Sequence, residues 1–279
     1  MKRNKENNMR HYSRAEMELV YNHVLGERLP GVALQSIREA SLVKRYITGA
    51  RMQIGDKVFH YAHADGVMVD NRIVFSRNPQ ESTMTAIGAG GVAPAGVSRV
   101  TVRLIAGGGP AQDGNMPVNY LQGGTIVFMT AAGIYVRGIL TNTAVVGGAG
   151  GAMTITIDAP TLGALVATDS TEFIASRYAS VVVAAGCILG AGLNTGVGVP
   201  TLVCAAQSWL WLQTWGPSWA ATSLTLGVGA GNRSAFVGSD GAIHPFSEET
   251  GASQRVGTVG PNAIGGGQGT PFVNLELDP

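Results

Sequence analysis

The stretch SWLWLQTWGPSW, residues 208–219, constrains the fold more than any other part of the chain. It holds all four tryptophans, Trp209, Trp211, Trp215 and Trp219. In an extended strand, alternate residues share a face. Trp209, Trp211, Gln213 and Trp215 then lie on one side, and Leu210, Leu212 and Thr214 on the other. Both sides are largely apolar, so this strand is expected to be covered on both. One cover is core. The other is an inner layer of the same domain or a contact with another subunit, because Trp is enriched at interface hot spots. Gly216-Pro217 is expected to turn or bend the chain before Trp219.

Much of the remaining sequence after Tyr46 repeats a period of two between glycine-rich turns. Lys57 to Tyr61 alternates beside the turn signal Gly55-Asp56, and Asp65-Gly66 marks another turn. Strands are expected over Val97–Ala106, Gly150–Pro160, Thr171–Ala175 and Ala179–Ala184, with a hairpin over Gly123–Asn142 turned near Ala132-Gly133. Asn194–Val199 reads as a loop and Leu202–Thr214 as a strand pair or one long bent strand. Arg233–Val237, Arg255–Val259 and Phe272–Leu277 complete the set. Many short strands with Gly-rich turns imply a mainly β protein, built of antiparallel β-barrel or β-sandwich domains. The expected division is an arm over 1–45, an antiparallel β domain over 46–185, and a second β-rich part over 186–279.

The arm differs in kind. Residues 1–51 hold ten basic and five acidic side chains, although the whole chain nets +1. Ser13 and Glu16 have the spacing of a capping box, and Met17, Val20, Tyr21, Val24 and Leu25 recur at helical spacing before Gly26 and Pro30. A second helical piece is expected over Ala33–Val43. The arm is thus read as partly helical, either a solvated helix or a tether for a partner's acidic surface. Its basic start has no apolar run after it, so it does not read as a secretory signal. No stretch of 18 apolar residues suggests a membrane span. Cys187 and Cys204 form no C-x-x-C motif and read as buried free thiols of a reducing compartment. Charged residues are only 13%, about half the usual share, which favours subunits covering one another.

No pattern in the chain specifies a reaction. His60 and His63 would point to opposite faces of a strand and read as ordinary surface histidines rather than zinc ligands. His244 stands alone before Pro245. GAGG, AGGGP, GGAGG and GGGQG do not match a phosphate loop, and G-x-S-x-G is absent. Asp113 and Asp158 are separated by a hairpin and do not pair as acid and base; Glu248-Glu249 reads as solvent-facing. The basic bias and the tryptophans are apart, which disfavours nucleic-acid binding. No catalytic residue, metal or cofactor is therefore expected.

WLWLQTWGPSW, GNRSAFVGSDGAI and the ending GTPFVNLELDP together resemble the C-terminal part of tailed-bacteriophage capsid decoration, or cement, proteins. TGARMQIGDKVFHYAHADGV is similar to the opening of that group, with Gly49, Gly55, Phe59 and Tyr61 in its pattern. The resemblance covers roughly Tyr46 to Pro279. It implies a virion protein made in the host cytoplasm, bound to the outer surface of a major capsid protein shell and stabilising it against DNA pressure. It implies a homo-oligomer, most often a trimer, with no direct contact to nucleic acid or membrane. On this reading Tyr12, Met17, Tyr21, Arg28 and Arg38 contact the capsid. Trp209, Trp211, Trp215, Trp219, Phe272 and Leu275 serve core or oligomer contacts. The alternative is a fibre or receptor- or carbohydrate-binding virion module, in which exposed tryptophans stack on sugar rings.

Overall fold

The computed structural model describes residues 33–76, 85–86, 91–105, 116–131, 133–145, 150–183, 195–222, 226, 233–238, 240–245, 254–260 and 272–279. Among them there are sixteen strands and no helix. In chain order these are β1 (Arg51–Ile54), β2 (Lys57–Ala64), β3 (Val74–Ser76), β4 (Thr85–Ala86), β5 (Arg99–Ile105), β6 (Thr125–Thr130), β7 (Gly133–Asn142) and β8 (Gly150–Ile157). There follow β9 (Ser170–Ile174), β10 (Val181–Val182), β11 (Thr195–Pro200), β12 (Ser208–Trp219), β13 (Ser234–Val237), β14 (Ile243–His244), β15 (Arg255–Val259) and β16 (Phe272–Glu276).

Strands β2, β10, β3, β11 and β12 form a closed five-strand barrel, the last pairing back to the first. Only β2 and β10 run parallel within it. Closure leaves these strands no free edge along the paired stretches. Inside, Ala62 and Ala64 of β2, Val74, Val181, Val197, Leu210 and Leu212 pack with Met68 and Cys204. Every barrel strand contributes to this core, and Cys204 is a buried free thiol. From β12 the same sheet runs on through β16, β15, β13 and β14. A second core there joins Phe75, Val199, Val256, Val273 and Leu275.

A six-stranded antiparallel sheet, in the order β4-β9-β6-β7-β8-β5, lies in sequence between β3 and β10. Yet β3 and β10 pair directly, Val181 opposite Ser76, so this sheet is an insertion into the barrel. It has its own core of Val102, Ile126, Phe128, Met153, Ile155 and Phe173. The barrel therefore takes strands from both sides of the expected boundary at 185–186. Local pattern could not show this, because closure pairs strands distant in sequence.

Three local expectations are corrected. Residues 195–200 are strand β11, not a loop: Val197 and Val199 are buried, and the intervening glycines do not stop the pairing. Residues 33–43 hold turns and a bridge rather than a helix, since their backbone is drawn to the sheet, with Ser41 and Trp209 exchanging both hydrogen bonds. Gly216-Pro217 does not turn the chain. It continues β12, opposite Leu275 and Asn274 of β16.

The irregularity in β12 falls earlier, between Gln213 and Trp215. Gln213 is opposite Phe59, but Trp215 is opposite Val58, one residue on rather than two. The bulge gives Trp215 the side-chain parity of Val58 and His60, so it leaves the face shared by Trp209 and Trp211. Gln213 fastens the region by donating from Nε2 to the carbonyls of Trp215, Gly216 and Pro217 at 3.1, 3.3 and 2.9 Å. Gly216 has φ +83, and a Cβ there would stand 2.3 Å from the Asp56 carbonyl oxygen.

This geometry predicts that Gly216→Ala costs about 3 kcal/mol or more, from a left-handed backbone and a clash with main chain. Gly55→Ala, at φ +62 with nothing within 4 Å of its would-be Cβ, is expected to cost only about 1 kcal/mol. Denaturant midpoints of the two variants measure the difference, and equal shifts would contradict the close approach.

Candidate functional site

The tryptophan face of β12 is covered by residues 34–52 of the same chain. Trp211 is fully buried, its ring 5.0 Å from both Tyr46 and Tyr61, while Tyr46 meets Tyr61 at 5.1 Å. Trp209 stacks on Tyr61 at 5.5 Å and lies beside His63. Such aromatic contacts add about 0.5–1.5 kcal/mol each beyond area burial. Of the two covers expected for this face, the structure supplies an intrachain one.

Gln35 makes the cover polar-compatible. Its Oε1 accepts from the Tyr61 hydroxyl at 2.8 Å. Its Nε2 donates to the carbonyls of Trp209 and Glu39 at 2.7 and 2.8 Å. Its carbonyl accepts from the Trp211 indole, and its own N–H donates to the Tyr46 hydroxyl. Burying this amide unpaired would cost roughly 1–3 kcal/mol. Lys44 sits 5.0 Å over the Trp209 ring and donates to Gln122 Oε1 at 2.8 Å; burial pushes its pKa down to about 8.

A second cluster locks the chain end onto the barrel. Asp278 Oδ2 accepts from the Tyr178 hydroxyl at 2.8 Å and faces Arg177 at 3.2 Å and His60 Nε2 at 3.8 Å. His60 stacks flat on Tyr178 at 4.8 Å, and its Nδ1 lies 3.1 Å from Thr214 Oγ1. Thr214 donates to the Asp278 carbonyl at 2.7 Å. His60, Thr214 and Asp278 superficially suggest a nucleophile with its base. But Thr214 is fully buried and its proton is committed to main chain, so it acts as a structural hydroxyl. His60 is itself buried rather than a surface histidine. It lies on the opposite parity from His63, as expected of neighbours three apart on a strand. Among the described residues no group of three His, Cys, Asp or Glu side chains could hold a metal ion.

The expected contact residues separate. Trp211 and Leu275 are core; Trp209 and Trp215 are half-buried. Trp219 and Phe272 are exposed and stand opposite each other on β12 and β16. Tyr12, Met17, Tyr21 and Arg28 lie outside the described residues, as does Cys187. Arg38 is exposed, on a segment packed against the barrel. Gln35, Tyr46, Tyr178 and Asp278 were not foreseen. Gln35 meets Tyr46 across 11 residues and Trp211 across 176, and Tyr178 meets Asp278 across 100, and no local motif marks such pairs. No helix among the described residues is long and apolar enough to cross a membrane. Comparison with protein-family models, curated proteins and solved structures finds no match to this chain.

Desolvation lowers the pKa of His60 from 6.5 to about 4, against the raising pull of Asp278 and with help from Arg177 and Arg51. Between those two values only the unfolded chain takes up the proton. The His60 contribution is thus complete above pH 6.5 and is lost as pH falls toward 4, on the order of 3 kcal/mol in all. Chemical denaturation across this range is expected to show the loss in the wild type and a flatter profile in His60→Gln. Identical profiles would remove His60 as the source.

The same burial predicts which indoles iodide reaches. Trp219 is 57% exposed and Trp211 is at 0%. Trp219→Phe should abolish most of the iodide-sensitive emission, whereas quenching of all four indoles would mean that the aromatic cover opens in solution.

Proposed function

We propose that this chain is a non-enzymatic virion structural protein, a head decoration or cement protein. It binds the outer surface of a major capsid protein shell and stabilises that shell against the pressure of packaged DNA. The observation that carries this reading is an apolar sheet face left outside filled cores. On the six-stranded sheet Ile134, Val136 and Leu140 are 76, 52 and 47% exposed. Register sets Met129 opposite Ile134 and Val127 opposite Val136, extending the same face across β6. On a chain with so little charge, such a face favours association. Apolar area covered there stabilises by roughly 25 cal/mol per Å² before the costs of association. Many identical contacts on one shell then add through multivalency. The chain acts as a homo-oligomer, with a trimer the favoured form, and its partner is protein rather than nucleic acid or membrane.

Copy number in purified particles tests this reading: hundreds of copies are expected, and six, twelve or none would overturn it. The apolar face is tested separately. Ile134→Asp with Val136→Asp should yield a folded chain that sediments as a smaller species and is lost from particles. Unchanged sedimentation and retention would free that face from the mechanism.

The alternative of a fibre or carbohydrate-binding module has one observation in its favour, the exposed Trp219–Phe272 pair. It predicts that glycans shift the emission of Trp219 and that Trp219→Ala abolishes the shift.

A further inference from the structure

A cleft of about 410 Å³ opens where residues 37–38, the β1–β2 hairpin and the segment after β11 meet. Phe59 and Gln213, both buried, contribute to its lining, with Ile37, Ile54 and Leu202 adding apolar surface. The Thr201 hydroxyl donates to the Ile37 carbonyl and ties two of its sides together. Arg38 and Lys57 are the two charged residues of the lining, and both are cations.

Glu39, the acid beside Arg38, is engaged by Arg45 at 2.9 Å. Among the described residues, no carboxylate lies within ion-pair distance of Arg38 or Lys57. Two cations with no carboxylate partner among the described residues thus line one cleft together with Ile37, Ile54, Phe59 and Leu202. Their field favours carboxylates, and the lining favours a hydrophobic side chain beside them.

We infer that this cleft is a docking site for a partner protein's extended segment carrying carboxylates next to an apolar side chain. This deepens the reading of the chain as a shell-binding protein and rests on it. Arg38 then contributes from a fixed position on the barrel rather than from a loose tether, so little ordering cost is incurred at that residue on binding.

The probe is a fluorescein-labelled peptide, acetyl-Asp-Phe-Glu-Leu-amide, titrated with the full chain and read by anisotropy. The control peptide replaces its two acids by Asn and Gln. Saturable binding of the acidic peptide is expected, at least tenfold tighter than the control and weakening as salt rises. Arg38→Glu with Lys57→Glu should weaken it at least tenfold, while Arg103→Glu, a charge reversal on an exposed β5 position, should leave it within twofold. Circular dichroism confirms that each variant is folded. Equal binding of the two peptides, equal effects of the two charge reversals, or no binding at all would overturn the inference. High copy number on particles together with absent peptide binding would reject the cleft and keep the shell reading. Peptide binding with no copies on particles would do the reverse.

Discussion

The pairing of β12 with β2 is the contact on which the rest of the structure depends. It closes the barrel, with register running from Ser208 opposite Ala64 to Trp215 opposite Val58. One side of that pair, with Leu210, Leu212, Ala62 and Ala64, fills the barrel. The other, with Trp211, Tyr61 and Phe59, is sealed by Tyr46, Ala50 and Met52. The tryptophans cluster because the wall they stand on has two buried faces. Large rings let a segment without regular secondary structure, residues 33–50, cover one of those faces. The backbone of such a segment lacks a ladder of its own, and Gln35 and Ser41 supply the hydrogen bonds that burial would otherwise forfeit.

The far end of the chain is held by a different device. Asp278 reaches Tyr178, Arg177 and His60, while Thr214 takes up its carbonyl from the bulge in β12. The bulge displaces Trp215 from the tryptophan face, and Thr214 beside it lies 3.1 Å from His60 Nδ1 and donates to the Asp278 carbonyl. The result is a barrel whose leading and closing segments are both fastened, with the six-stranded sheet inserted between two of its paired strands. For the proposed association through exposed sheet faces and a cationic cleft, such fastening keeps ordering costs on binding small.

Much of this was legible in the residues. The alternation of Lys57–Tyr61 and Gly150–Pro160, and the hairpin through Ala132-Gly133, matched observed strands because a half-buried strand writes its own period. Apolarity on both faces of residues 209–215 announced that two covers were needed. Several features were not legible. The glycines of residues 195–200 mimic a loop, and their strand exists only because neighbours fill the pairing on either side. His60 reads as a surface residue until Tyr178 and the chain end cover it.

By itself, then, the sequence determined the mainly β class, several of the strands with the turns beside them, and the two faces of β12 that had to be buried, because these follow from local conformation and a two-residue period. Only the tertiary structure decided which strands meet, that residues 34–50 rather than another subunit cover Trp211, and that Trp215 changes sides. Those outcomes depend on closing a ring between strands more than a hundred residues apart and on a single inserted residue at the bulge. A periodic pattern names a face but not its partner, and it carries no mark of where the period slips.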